Sequence, residues 1–241
     1  MTPRVLHYVD SSAPGGIESH LAALLPALRR LGVDARLLFH ADHGPHPLRA
    51  ALDAAGVPHA TLAGGTPALP GALRAAAPDL LHTHGYKASL LGRAARLAGG
   101  PPVVTTLHSG APGGGRVRLY DALDAATAGA STLIAVSPAL AARHPGAALV
   151  PNGVEIPETA TEPGDAVAFV GRLSEEKGPL DFVEIARAAP ELPCLAFGDG
   201  PLRAEVAAAA PANLALRGSV PSMVPHWGEV GLLVMPSRFE G

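Results

Sequence analysis

Two cations, Arg172 and Lys177, stand in the stretch Val170–Gly178, V-G-R-L-S-E-E-K-G, between an apolar run and an amphipathic segment. Ala166–Val170 reads as a short buried strand, and Gly171 breaks it. Pro179–Ala189 then reads as a helix that starts on its proline, where a missing N–H costs nothing. The free N–H groups of a helix's first turn attract anions, so two cations beside such a turn suit a diphosphate. Glu175 and Glu176 offer the plainer alternative, a solvated turn with locally paired charges.

Histidines supply the second set of candidates. Asp79–His84, D-L-L-H-T-H, reads as a strand with His82 and His84 on one face. A metal site would need a third ligand, and with none nearby in sequence the pair reads as structural or ligand-facing. Val103–Leu107 is a β-branched strand that ends on His108-Ser109-Gly110. Val5–Val9 is an apolar strand whose following loop ends in Gly15-Gly16-Ile17-Glu18. Each strand thus ends in a polar cluster, and Gly16, His84 and His108 are expected along one sheet edge. Paired glycines before a helix can also be no more than a tight turn. His40, His43 and His46 with Asp42 lie among Gly44, Pro45 and Pro47, so a mobile solvated loop is the expectation there.

The elements that must position these residues follow a β-loop-α-β order, the start of a doubly wound α/β sheet. Ile17, Leu21, Leu24, Leu25, Leu28 and Leu31 recur at helical spacing. Pro26 inside that face is expected to kink or split the helix. Further strands are expected at Ala35–Phe39, His59–Leu62, Thr132–Val136 and Leu149–Val150. Helices are expected near Pro47–Ala55, Thr66–Ala76, Ala88–Leu97, Arg116–Ala128 and Pro138–Arg143, with a flexible turn at Gly113–Gly115. Pro157–Asp165 reads as a linker. Beyond it a second strand–helix series gives strands at Cys194–Phe197, Leu214–Leu216 and Gly231–Met235 and a helix at Leu202–Ala210.

Composition narrows the function. With 241 residues, 48% of them hydrophobic and only 4% aromatic, the chain can bury one or two mostly aliphatic cores. A net charge of −3 argues against a nucleic-acid partner, so local groups must hold any anion. The single cysteine, Cys194, excludes an intramolecular disulfide. No basic-then-apolar leader and no apolar run of about 18 residues is present, which makes a soluble cytoplasmic protein the expectation. The two lysines, Lys87 and Lys177, do not follow glycine, so a phosphate-binding P-loop is absent. G-x-G-x-x-G is absent as well, which disfavours an NAD-dependent enzyme.

In their order along the chain, these motifs resemble glycosyltransferase family 4, nucleotide-sugar enzymes of the two-domain GT-B architecture. The resemblance is carried by G-G-I-E at 15–18, H-T-H-G-Y-K at 82–87, T-L-H-S-G at 106–110 and A-V-S at 135–137. It continues with P-N-G-V-E at 151–155, V-G-R-L-S-E-E-K-G at 170–178, F-G-D-G-P-L at 197–202 and P-S-R-F-E-G at 236–241. It implies an α/β fold of GT-B type, with a complete Rossmann-like domain over residues 1–156 on the acceptor side and an incomplete, Rossmann-like donor-binding one over 166–241. Donor and acceptor would meet between the two domains. Arg172 and Lys177 would hold the donor diphosphate, with Gly16 and Gly198 also on the donor side, and Glu240 would contact the donor sugar. His108 would lie at the reacting sugar, and Gly15, Glu18, His84 and Lys87 would face the acceptor.

The implied reaction moves a sugar to a glycan or lipid-linked acceptor with retention of anomeric configuration. Peripheral contact with the inner membrane face is compatible with such an acceptor. No cofactor is implied, the nucleotide sugar being a substrate. The chain has no Asp-x-Asp pair to bridge a metal to the diphosphate, so no metal site is expected. The family's second glutamate, eight positions past Glu240, lies beyond the last residue, so a fragment or degenerate chain without activity is the expectation for these 241 residues. A non-catalytic acceptor- or membrane-surface-binding remnant and a nucleotide-sugar epimerase are the alternatives.

Overall fold

The computed structural model describes residues 2–12, 15–108, 116–154, 156, 162–220 and 222–238, without the side chains of 116–121. The chain divides into two compact units, Met1–Glu155 and Ile156–Glu240. The turn expected at Gly113–Gly115 and most of the expected linker, residues 157–161, lie outside the described residues.

In the first unit β1 (Arg4–Val9), α1 (Gly16–Arg30), β2 (Asp34–Phe39), α2 (Pro47–Ala54) and β3 (His59–Thr61) alternate. They are followed by α3 (Leu69–Ala76), β4 (Leu80–His84), α4 (Tyr86–Leu97) and β5 (Val103–Leu107). The unit closes with α5 (Arg116–Thr127), β6 (Thr132–Ala135), α6 (Pro138–Arg143) and β7 (Ala148–Leu149). Among the described residues the strands form one sheet in the order β3-β2-β1-β4-β5-β6-β7. Every pairing in it is parallel.

Helices on both faces explain why strands such as β1 are buried on both sides. Leu6 and Tyr8 join Leu38, Leu69, Leu73 and Leu81 on one face, while Val9, Leu37 and Phe39 join Leu21, Leu25 and Leu52 on the other. The expected break at Pro26 does not occur, and α1 runs through it as one 15-residue helix. Proline removes one backbone bond, to the Ala22 carbonyl. Leu21 and Leu25, buried on the sheet at the same turn, hold the helix together across that gap.

A buried ion pair joins two helices. Arg93 on α4 is completely buried and lies 2.8 Å from Asp124 on α5, with further bonds to the Asp124 carbonyl, Thr127 and Ser131. No helix among the described residues is long and apolar enough to cross a membrane.

The second unit contains β8 (Ala166–Val170), α7 (Pro179–Ala188), β9 (Cys194–Phe197), α8 (Arg203–Ala209), β10 (Leu214–Gly218) and β11 (Val230–Leu233). Its parallel sheet has the order β10-β9-β8-β11 among the described residues. The loops after β8 and β9 touch through their main chains. A Cβ on Gly198, at φ +134°, would stand 1.8 Å from the Gly171 carbonyl oxygen. Gly198→Ala is therefore expected to cost about 1–3 kcal/mol, the range for overpacking a closed site. Chemical denaturation checks it, and an unchanged midpoint would mean that the two loops part freely.

Candidate functional site

The strand order of the first unit turns back between β1 and β4, since the chain first builds outward through β2 and β3 and then restarts at β4. Parallel sheets bind ligands outside the carboxyl ends of their strands at such a point. Gly16 follows β1, His84 ends β4 and His108 follows β5, so three of the residues expected at a common edge are on neighbouring strands there. Ser109 and Gly110, which complete the third motif, lie outside the described residues.

Gly15 caps α1 with extended backbone and has no side chain to satisfy the helix's first N–H groups. A Cβ on Gly16 would meet nothing within 4 Å, so packing does not demand glycine there and the space over its Cα is open. Glu18 folds back over this turn, its Oε2 3.1 Å from where a Gly15 Cβ would stand. Lys87, on the first turn of α4, reaches Asp10 Oδ2 at 2.8 Å. Burial pushes the Asp10 carboxyl up, but hydrogen bonds from Lys87 and His43 outweigh it and leave the group below its ordinary value.

Parallel register assembles a larger histidine cluster than the sequence suggested. His7 on β1 lies opposite His82 on β4, and both share a sheet face with His84. His20 of α1 covers that face, its ring 5.0 Å from that of His108 and 5.9 Å from that of His84. The missing third metal ligand is thus supplied by distant chain: His7, His82 and His84, and also His20, His84 and His108, bring their ring nitrogens within 4.8 Å of one another. The rings meet one another directly. His7 Nδ1 lies 3.0 Å from His84 Nε2, His84 Nδ1 lies 3.0 Å from His108 Nε2, and His82 Nε2 lies 2.7 Å from Thr106 Oγ1.

Burial disfavours protonation throughout this cluster, and neighbouring imidazoles add to it. His82 is lowered to about 4 and His108 to about 3, while His7, His20 and His84 are also lowered. The unfolded chain, with ordinary histidines near 6.5, therefore binds more protons than the folded one between pH 6.5 and 4. The stability of the first unit should be fully present above pH 6.5 and fall as the pH drops toward 4. Each extra proton taken up on unfolding contributes a slope of about 1.4 kcal/mol per pH unit. Urea melts at half-unit steps read that slope, and a flat profile from pH 6.5 to 4.5 would contradict it.

The loop at 40–46 also departs from expectation. His40 and His46 are buried, not solvated. His40 Nδ1 lies 2.6 Å from the Tyr8 hydroxyl, His46 accepts from the Leu48 N–H to cap α2, and His43 Nε2 lies 3.0 Å from Asp10 Oδ1. The prolines and the glycine made the segment look loose, whereas its three imidazoles pin it to β1, to the residue that follows β1 and to the start of α2.

In the second unit, Arg172 and Lys177 stand on the loop between β8 and α7, with Lys177 ending a short 3-10 turn and Pro179 opening the helix. Among the described residues Arg172 makes no ion pair with Glu175 or Glu176, so the locally paired turn does not form around it. The loop packs on the 236–238 segment. A Cβ on Gly178 would stand 2.3 Å from the Pro236 carbonyl oxygen, and the Arg238 N–H donates to the Glu176 carbonyl at 2.8 Å. Two of the sequence motifs therefore meet here. Gly198 is explained by its packing on Gly171, and Glu240 lies outside the described residues.

An apolar cavity of about 640 Å³ lies elsewhere, between α3 and strands β2 and β3, lined by Leu38, Pro58, Leu62, Ala72 and Ala75 among others. His59 lines it, and His7, His20, His82, His84 and His108 do not.

The comparisons with known proteins agree with this geometry. Among solved structures, Anabaena HepE in complex with UDP and glucose superposes with a TM-score of 0.81 at 20% identity, covering 98% of this chain and 74% of its own. Sucrose-phosphate synthase from Thermosynechococcus elongatus gives 0.75 at 15% identity, over 99% of this chain and 76% of its own. The lipopolysaccharide outer core galactosyltransferase WaaB gives 0.66 at 17%, over 99% and 75%. At such identities the likeness establishes the α/β fold of GT-B type. No curated protein matches the chain significantly. The family profile described as Glycosyltransferase Family 4 matches residues 14–156, a span that holds the paired glycines, His84 and His108. That span is more than half of the chain, and the chain belongs to glycosyltransferase family 4.

Proposed function

We propose that the parent protein of this chain is a glycosyltransferase that moves a sugar from a nucleotide-sugar donor to a glycan or lipid-linked acceptor, with retention of anomeric configuration. The observation that supports this most is the meeting of Gly16, His84 and His108 at the strand-order reversal of the first unit. His108 is assigned to the reacting sugar, and Gly15, Glu18, His84 and Lys87 to the acceptor side. Arg172 and Lys177 take the donor diphosphate, with Gly16 and Gly198 on the donor side and Glu240 at the donor sugar.

The chemistry supports these roles. Departure of a nucleoside diphosphate places growing negative charge on a phosphate oxygen. Fixed cations stabilise that charge more as it grows, which lowers the barrier and does not merely tighten binding. With two side-chain cations and no Asp-x-Asp pair, the reading needs no metal at the diphosphate. HepE has been solved with UDP-glucose, which makes UDP sugars the first donors to test. A cytoplasmic site of action, at the inner membrane face if the acceptor is lipid-linked, belongs to the same proposal.

The test is product analysis on the purified parent protein with a panel of UDP and GDP sugars, free glycans and lipid-linked acceptors, with and without EDTA. Proton NMR of the anomeric centre should show the donor's configuration in the product. An inverted product, or free epimerised sugar without transfer, would overturn the reading.

A further inference from the structure

We propose that His7 and His84 are positioning residues that fix the tautomer of His108, with Nε2 accepting from His84 and Nδ1–H left as the donor that His108 offers. Its functional consequence rests on the placement of His108 at the reacting sugar, while the tautomer itself does not.

A count of ring protons decides the tautomer. His7 Nδ1 faces His84 Nε2 at 3.0 Å, and His84 Nδ1 faces His108 Nε2 at 3.0 Å, so three rings are joined by two hydrogen bonds in series. His7 and His84 are buried, and among the described residues no carboxylate pairs with any of the three rings, so nothing there holds a second ring proton and each ring carries one. Two protons fill the two bonds. The third must sit at one end of the chain, on His7 Nε2 or on His108 Nδ1.

The ends are unequal. His7 Nε2 is buried and has no hydrogen-bond partner among the described residues. A proton there would be a donor stranded in the core, and orphaned buried N–H groups are rarer in proteins than under-satisfied acceptors. At the other end His108 is only partly buried, at the mouth of the strand edge. The third proton therefore belongs on His108 Nδ1, and that choice sets the direction of both bonds. Neither neighbour interrupts the chain. His82 is bonded to Thr106, and His20 packs edge-on against the His108 ring. His108 then meets a sugar oxygen as a hydrogen-bond donor and does not act as a base from Nδ1.

Two-bond proton–nitrogen correlation spectra of the protein labelled with 15N-histidine, at pH 7 and freed of metal, read the tautomers directly. His7, His84 and His108 should all show a protonated Nδ1 and a bare Nε2. In His84→Leu, His108 should gain the Nε2–H form. In the parent protein the kcat of His84→Leu should fall roughly tenfold with donor KM within about twofold, the pattern of a lost transition-state contact. A His108 that is Nε2–H or charged in the wild-type spectrum would overturn the inference, whether or not the variant folds. Stoichiometric Zn²⁺ that shifts the ring nitrogens of His84 and His108 would overturn it too, because a metal would be using the lone pairs that the proton chain needs. His108→Ala with undiminished transfer, beside the expected tautomers, would instead remove His108 from the sugar and leave the chain of protons standing.

Discussion

In the parent protein, Arg172→Ala and Lys177→Ala should each lower turnover by roughly 10²–10³, the usual loss when one fixed charge is removed from a developing oxyanion. The effect should fall on kcat more than on donor KM, because the charge on the leaving diphosphate grows toward the transition state. Arg172 is the cleaner probe, being exposed on its loop and unpaired with Glu175 or Glu176 among the described residues. Arg187→Ala is the comparison. Arg187 on α7 pairs with Glu184 and donates to the Ala209 carbonyl at 2.8 Å, so its loss should cost a little stability and leave turnover near wild type. Steady-state kinetics on the three variants decide the matter. An Arg172 variant as fast as wild type would remove the diphosphate from this loop.

The largest stability effect is expected at Asp124→Ala. Its partner Arg93 is fully buried and would keep its charge with no carboxylate to face it. Breaking a buried pair from one side typically costs about 3–5 kcal/mol. At roughly 2–4 °C per kcal/mol for a chain of this size, the melting temperature should drop by about 6–20 °C. Replacing both partners, Arg93→Met with Asp124→Leu, should recover most of that loss, since a well-packed apolar pair removes the stranded charge. Differential scanning calorimetry of the single and double variants reads both. A single variant within about 1 kcal/mol of wild type would show that water reaches Arg93 after the change.

Much of this fold was legible because its strands are short apolar runs that end abruptly in polar residues. Leu80–His84 and Val103–Leu107 declare themselves in that way, and a parallel sheet then gathers their ends without further information. The site was only half legible. His82 and His84 are visible as an alternating pair, but His7 joins them through a register spanning 75 residues, as Arg4 joins Asp79. A local reading of R-V-L-H-Y-V shows an apolar strand and no reason for its histidine. The available signal was a polar residue at an inward position of that strand, sharing the alternation of Val5 and Val9. His20 gave a similar hint, one turn along the helix from Ile17. The Arg93–Asp124 pair gave none, because both residues sit on amphipathic helices where a charge ordinarily faces water. The loop at 40–46 misled for the opposite reason: its glycine and prolines describe the backbone, while its imidazoles decide the burial.

The position of β1 inside the sheet, with a neighbour on each edge, shapes how the protein is made. It leaves the ribosome before the other described strands, and one of its edges pairs soon afterwards with β2. The other edge waits for β4, whose first paired residue, Leu80, is 75 positions beyond its partner Val5. At about 5–20 residues per second of synthesis, that interval is roughly 4–15 s. Through that time the nascent chain carries an open, mostly apolar strand edge, the kind of surface that pairs with other chains. His108 emerges still later, so the histidine cluster cannot form until the growing chain has already survived its most association-prone stage.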